Sequence, residues 1–87
     1  MDLTESGQKV IVIAPSGFIF YGTTSDAQFP GHIRLENPKQ ILGWDGNRGI
    51  GAIASGQVKA ELQDASEWVE LPEFSYRLVL DAKNMQV

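Results

Sequence analysis

Gln40–Gly56 reads QILGWDGNRGIGAIASG and joins a strand end, a tight turn and a glycine-opened helical start in one short stretch. Ile41 and Leu42 close an apolar run, Trp44 adds a large amphipathic ring, and Asp45-Gly46 suits a turn that needs positive φ. Behind Gly49 and Gly51, the residues Ile50, Ile53 and Ala54 recur on one helical face, and Gly56 supplies a terminator. A helix this short does not survive alone, because nucleation is costly. It therefore has to dock on a sheet through Ile50 and Ile53.

The flanking sequence supplies that sheet. Upstream, Lys9–Ala14 is rich in β-branched residues and is stopped by Pro15-Ser16-Gly17, which predicts a first strand. Phe18–Thr24 predicts a second, with Phe18, Phe20 and Gly22 on one face and Ile19, Tyr21 and Thr23 on the other, so that both faces pack. Ser25–Gly31 reads as a loop anchored by Phe29, and His32–Glu36 and Lys39–Trp44 as a third and a fourth strand around Asn37-Pro38. Downstream, alternation of Val58, Ala60 and Leu62 within Gln57–Glu67 predicts an edge strand, followed by a strand at Trp68–Leu71. After Pro72-Glu73 the pattern of Phe74–Asp81 predicts a last strand, with Phe74, Tyr76, Leu78 and Leu80 facing the core and Ser75, Arg77, Val79 and Asp81 opposite. The expected fold class is mainly β: a compact antiparallel sheet or small barrel with one short helix. Residues 9–81 form one β-rich domain, with 1–8 a flexible leader and 82–87 a flexible tail.

At 87 residues, with 43% hydrophobic and 21% charged, the composition is that of a globular domain. A chain of this size buries little more than about 60% of its unfolded surface, so a partner subunit, most simply a second copy, is expected to add to its core. Cysteine is absent, which removes disulfides and thiolate metal sites and fits a reducing cytoplasm. Met1–Gln8 lacks the basic start and apolar core of a secretory signal. The longest apolar run, Val10–Ala14, is far below the roughly 20 residues that span a bilayer, so no membrane role is expected. A net charge of −4 argues against long nucleic acids and anionic lipid. The charge is uneven, however: Arg34, Lys39, Arg48 and Lys59 lie in the middle third, and Glu61, Asp64, Glu67, Glu70, Glu73 and Asp81 crowd the last. One pole can accept a small anion while the other repels a polyanion.

Free backbone N–H groups at a helix start favour phosphate or carboxylate, and Gly49–Ala54 matches the GxGxxA form of the dinucleotide fingerprint. The βαβ unit that this fingerprint needs is missing, and the same glycines equally suit a tight turn and close packing. A helix end contributes up to about 2 kcal/mol, whereas micromolar binding needs roughly 8. Further groups must then contribute: Arg48 as a phosphate fork, and Trp44, Phe29 or Tyr21 as stacking rings. Arg34 and Arg77 are further cations, each equally suited to an ordinary pair with Glu36 or Asp81. Trp44 and Trp68 equally suit partial core positions.

The inventory for catalysis is thin. His32 is the only imidazole, and Ser16 and Ser25 sit in no nucleophile-elbow motif. His32 with Glu36 lacks metal-ligand spacing, and Glu67, Glu70 and Glu73 serve equally as solvated charges that protect a sheet edge. A non-enzymatic protein without cofactor or metal is expected.

Ser16–Gly22, Ile33–Asn37 leading to Ile41–Gly46, Ile53–Gly56 and the closing Trp68–Leu80 strands together resemble a family of small phage and prophage proteins grouped as a domain of unknown function. The pattern is also similar to the β-rich part of phage anti-Thoeris sponges. The resemblance covers most of Val10–Leu80, and its most specific element is the Trp-Asp-Gly turn followed by a helix containing Ala-Ser-Gly. It implies a cytoplasmic, phage-encoded immune-evasion protein. Such a protein would form homo-oligomers and sequester a small anionic, nucleotide-derived signal of the cyclic nucleotide or cyclic ADP-ribose type. The ligand-binding residues expected on this basis are Trp44, Asn47, Arg48, Gly49 and Gly51, with Arg34 and Tyr21 behind them. Two other readings stay open. One is capture of a host protein through Glu61, Asp64, Glu67, Glu70 and Glu73, which charge reversal there would abolish. The other is a minor virion or assembly component.

Overall fold

The computed structural model describes residues 6–14, 17–44, 49–72, 75–76 and 78–86. Along the chain run β1 (Lys9–Ile13), β2 (Ile19–Ser25), β3 (Ile33–Trp44), α1 (Ile50–Ala54), β4 (Ala60–Asp64), β5 (Trp68–Leu71) and β6 (Leu78–Asp81). The strands form one antiparallel sheet in the order β4-β3-β2-β1-β6, with β5 also paired to β3. No pairing joins β6 to β4 or β5, so the sheet is open and the small-barrel alternative does not hold. Among the described residues no helix is long and apolar enough to cross a membrane.

Val10, Ile11 and Val12 are all fully buried, which places β1 inside the sheet with both faces covered. Ile11 points to a core shared with Tyr21, Ile41, Ile53, Ala54, Ala60, Ala82 and Met85, against which Trp44, Ile50, Leu62 and Leu80 also pack. Val10 and Val12 point to a second core with Ile33 and Leu35, bordered by Phe20, Val69, Leu71, Tyr76 and Val79. The two-faced packing expected of the second strand is therefore present. The one-faced reading of the last strand is corrected: Leu80 serves the first core, whereas Tyr76 and Val79 serve the second. Phe74 and Arg77 lie outside the described residues.

The predicted third and fourth strands are a single strand. β3 runs through Asn37-Pro38 by way of a β-bulge: Tyr21 faces Lys39 and Thr23 faces Glu36, so two residues of β3 oppose Gly22. Asn37 takes a positive φ of 50°, which asparagine tolerates better than most residues, and Pro38 is fully buried. Gly22 is the complement of this bulge. A Cβ there would meet the Leu35 Cβ at 3.1 Å and the Pro38 Cα at 3.4 Å. The extra residue also reverses parity, since Ile33 and Leu35 face the second core and Ile41 faces the first.

On its other side β3 is covered in two pieces. β5 pairs with its first half, Arg34 opposite Glu70, and β4 with its second, Trp44 opposite Ala60. The break between them, residues 65–67, sits beside the bulge. There the Asn37 N–H donates to the Glu67 carbonyl at 2.9 Å and the Ala65 N–H to the Pro38 carbonyl at 3.2 Å.

The helix forms where the sequence predicts it. Ile53 and Ala54 are buried on the sheet, Ile50 packs beside them, and Gly56 with φ +85° turns the chain away. The carboxy-terminal residues depart from the expected loose tail. Ala82 and Met85 are buried in the first core, the Ala82 N–H donates to the Lys9 carbonyl, and the Gln86 side chain donates to the Gly56 carbonyl. At the other terminus, Gly7 and Gln8 are tied to Thr24 by backbone N–H donation to its carbonyl and hydroxyl, both at 2.8 Å.

Candidate functional site

Helix α1 and the carboxy-terminal segment cover the first core over β1, β2, β4 and the later half of β3. Where they stop, the same side of the sheet turns polar. The i, i+2 spacing of His32, Arg34 and Glu36 before the bulge puts all three on this uncovered area, away from Ile33 and Leu35. Trp68 and Glu70 join them from β5 for the same reason, since Val69 and Leu71 face the second core.

These side chains form one network. Glu70, only 7% exposed, accepts from the Gln28 N–H at 2.9 Å, is bonded to His32 Nδ1 at 2.9 Å, and has an Arg34 guanidinium nitrogen 3.7 Å away. Arg34 donates through Nε to Glu36 at 2.9 Å, and the Ser25 hydroxyl donates to the same carboxylate oxygen. The Arg34 guanidinium lies 4.3 Å from the centre of the Trp68 ring, and the Phe29 ring lies 5.3 Å from that of His32. Glu70 thus clasps the loop between β2 and β3 to β5.

The donated Gln28 N–H, aided by His32, holds the Glu70 carboxyl below the usual carboxylate range, and the Arg34 hydrogen bond, then that of Ser25, does so for Glu36. A carboxylate with a depressed folded-state pKa contributes stability that is present above its unfolded value, about 4.3, and is lost as pH falls through the folded value. Glu70→Gln should therefore flatten the decline of the urea midpoint between neutral and acid pH. An unchanged acid limb would show that the clasp carries no such linkage.

At the far end of β3 a second feature stands alone. Gly43, Trp44, Lys59, Ala60 and Glu61 line a shallow cleft of about 540 Å³, with Trp44 half-buried against the first core and Lys59 exposed. Gly49 and Gly51 are exposed, and among the described residues a Cβ at either would meet nothing within 4 Å, so no described neighbour packs closely against them. Gly49 provides no side-chain cap for α1 and its φ is −81°.

The residues expected to bind a ligand are therefore scattered. Trp44, Gly49 and Gly51 are at this end, while Asn47 and Arg48 lie outside the described residues. Tyr21 is 8% exposed within the first core and is no stacking platform, because its ring completes the packing around Ile11 and Ile41. Arg34 is ten residues from Trp44 on one strand, up to about 33 Å away, and its guanidinium is engaged by Glu36, Glu70 and Trp68. Arg34 and Trp44 thus stand toward opposite ends of β3, and Arg34 is not among the residues lining the Trp44 cleft. Of the two alternatives read for Arg34, pairing with Glu36 is the one realised. His32 bonds Glu70 and not Glu36, and among the described residues no group of His, Cys, Asp or Glu is arranged to hold a metal.

Two features escaped the sequence reading. Lys59 reaches the Trp44 cleft only through the cross-strand register that sets Ala60 opposite Trp44. The His32–Glu70 bond was signalled in part, because alternation puts His32, Arg34 and Glu36 on one face, but pairing β3 with β5 required the register. Comparison with protein-family models, with curated protein sequences and with solved structures returned no match.

Proposed function

We propose that the protein acts by capture without turnover, taking a small anionic, nucleotide-derived ligand of the cyclic nucleotide or cyclic ADP-ribose class at the Trp44 end of β3. The observation that carries this reading is the cleft itself: an aromatic ring with one side anchored in the core and an exposed lysine that lines the same shallow cleft, Glu61 being the other charge there. Trp44 offers a stacking surface and Lys59 a cation for phosphate. Stacking is worth about 1–3 kcal/mol per base and a hydrogen bond to a charged group about 1.5–3, against roughly 8 for micromolar affinity. The shortfall fits a cleft completed by a second copy of the chain, as in the phage sponges that the sequence resembles. Gly51 agrees with such close approach, because glycine in an exposed helix is destabilising by about 1 kcal/mol relative to alanine and, among the described residues, no neighbour lies where its Cβ would be.

Calorimetry with cyclic ADP-ribose and with cyclic dinucleotides tests the proposal. Saturable binding is expected, weakened at least about tenfold by Trp44→Ala, in line with loss of one stacking contact. Gly51→Ala should raise thermal stability yet weaken binding. Absence of heat with every ligand, or binding indifferent to Trp44→Ala, would remove the site.

A further inference from the structure

We infer that the helix-free area of the sheet is a second recognition surface, independent of the Trp44 cleft, which docks a basic, arginine-bearing segment of a partner protein between Phe29 and Trp68. Both rings are large and solvent-exposed, Phe29 at 58% and Trp68 at 45%, and the Phe29–His32–Glu70–Arg34–Trp68 contacts join them in one continuous row. Exposed tryptophan on an ordered surface is a characteristic anchor of protein interfaces. Here Arg34 lies against the Trp68 ring and is itself held by Glu36 and Glu70. The ring is thus presented in a fixed orientation, and little side-chain entropy is left to lose on docking.

Charge decides the occupant. Around the row and along the adjoining β4–β5 edge stand Glu36, Asp64, Glu67 and Glu70, and the cations among them are spoken for: Arg34 by Glu36 and Glu70, Lys39 by Asp64. Glu67 is exposed, and among the described residues it has no ion-pair partner. The surface is anionic in sum and repels nucleotide phosphates and polyanions. It favours a segment whose guanidinium groups pair with Glu67 and Glu36 and stack on the open side of Trp68, and whose apolar residues meet Phe29. An ion pair at such a rim steers the encounter, and the aromatic anchors supply affinity.

The two tryptophans make the test selective, since Trp68 marks this surface and Trp44 the other. The full chain, labelled with 15N, is titrated with a synthetic peptide of alternating arginine and valine and with its glutamate–valine counterpart. The indole N–H signals are assigned from Trp44→Phe and Trp68→Phe. With the arginine peptide, the Trp68 indole should shift and saturate while the Trp44 indole stays in place, and the glutamate peptide should move neither. Trp68→Ala should weaken binding roughly tenfold, Trp68→Phe, which keeps a ring for Arg34, less so, and Glu67→Lys should weaken it more than Glu67→Gln. The inference is overturned if the Trp68 indole does not respond, if both peptides shift it equally, or if the response is at Trp44. A silent Trp68 indole leaves nucleotide binding at Trp44 untouched, since calorimetry reads that separately.

Discussion

Gly56→Ala should unfold the protein at a temperature about 12–24 °C lower, the shift that a loss of about 3 kcal/mol produces in a domain of this size. Two effects add. At φ +85° a Cβ is strained by its own backbone, at about 1–2 kcal/mol. In addition, a Cβ at this position would overlap the Asn84 carbonyl, and backbone cannot swing aside as a flexible side chain does. Relief requires the carboxy-terminal segment to lift, which exposes Met85 and breaks the bond from Gln86 to the Gly56 carbonyl. Returning a buried methionine to water forfeits about 1.5–3 kcal/mol. Thermal unfolding of Gly56→Ala beside Gly51→Ala separates the causes, because a methyl at Gly51 meets open space. Equal melting temperatures for the two variants would show that residues 82–86 are not docked as described.

The second large effect is expected at Ile53. It is the fully buried residue of α1, set among Ile11, Tyr21, Ile41 and Ala60, and the helix of five residues has no stability without that contact. Ile53→Ala should reduce unfolding free energy by about 2–5 kcal/mol, and Ile53→Val by only about 0.5–1.5, with urea denaturation as the readout. Trp44 packs on the same core, so the alanine variant should also loosen the cleft and expose the Trp44 ring to quencher. A small effect from Ile53→Ala would mean that the helix is not what closes this face.

The elements legible in the sequence are those whose signals are local. β1 announced itself by β-branched residues ended by a proline and glycine, β2 by apolar residues on both parities, and α1 by Ile50, Ile53 and Ala54 on one face ahead of Gly56. The misread elements depend on pairing. Asn37-Pro38 reads as a break because proline cannot donate to a ladder. In the fold it is a bulge accommodated by Gly22, a residue far away in sequence, and the parity switch it introduces is invisible to any test of alternation. The carboxy-terminal residues look polar and loose because what holds them, Ala82 and Met85 in the core and the glycine at position 56, is a tertiary fit. The candidate sites divide in the same way. Trp44 stood out by type and position, whereas the His32–Glu70 clasp and the approach of Lys59 to Trp44 follow from register alone.

Arg34 shows why residue type alone leaves binding undecided. Its sequence leaves it open between a cation for phosphate and an ordinary pair with Glu36, and β-pairing decides: Glu70 stands directly across from it, Trp68 lies beside it, and both engage it together with Glu36. Its guanidinium links Glu36, Glu70 and Trp68. The cation left at the Trp44 end by the described residues is Lys59.

Capture without turnover is tested most directly by recovery of the ligand. The protein is saturated with the cyclic nucleotide or cyclic ADP-ribose that binds it best, freed of excess by gel filtration, denatured, and the released small molecules are analysed by mass spectrometry. Release of the intact ligand from wild-type protein, and of far less from Trp44→Ala, is the predicted result. Recovery of a hydrolysed product, or no retained ligand from any of the candidates, would contradict the account.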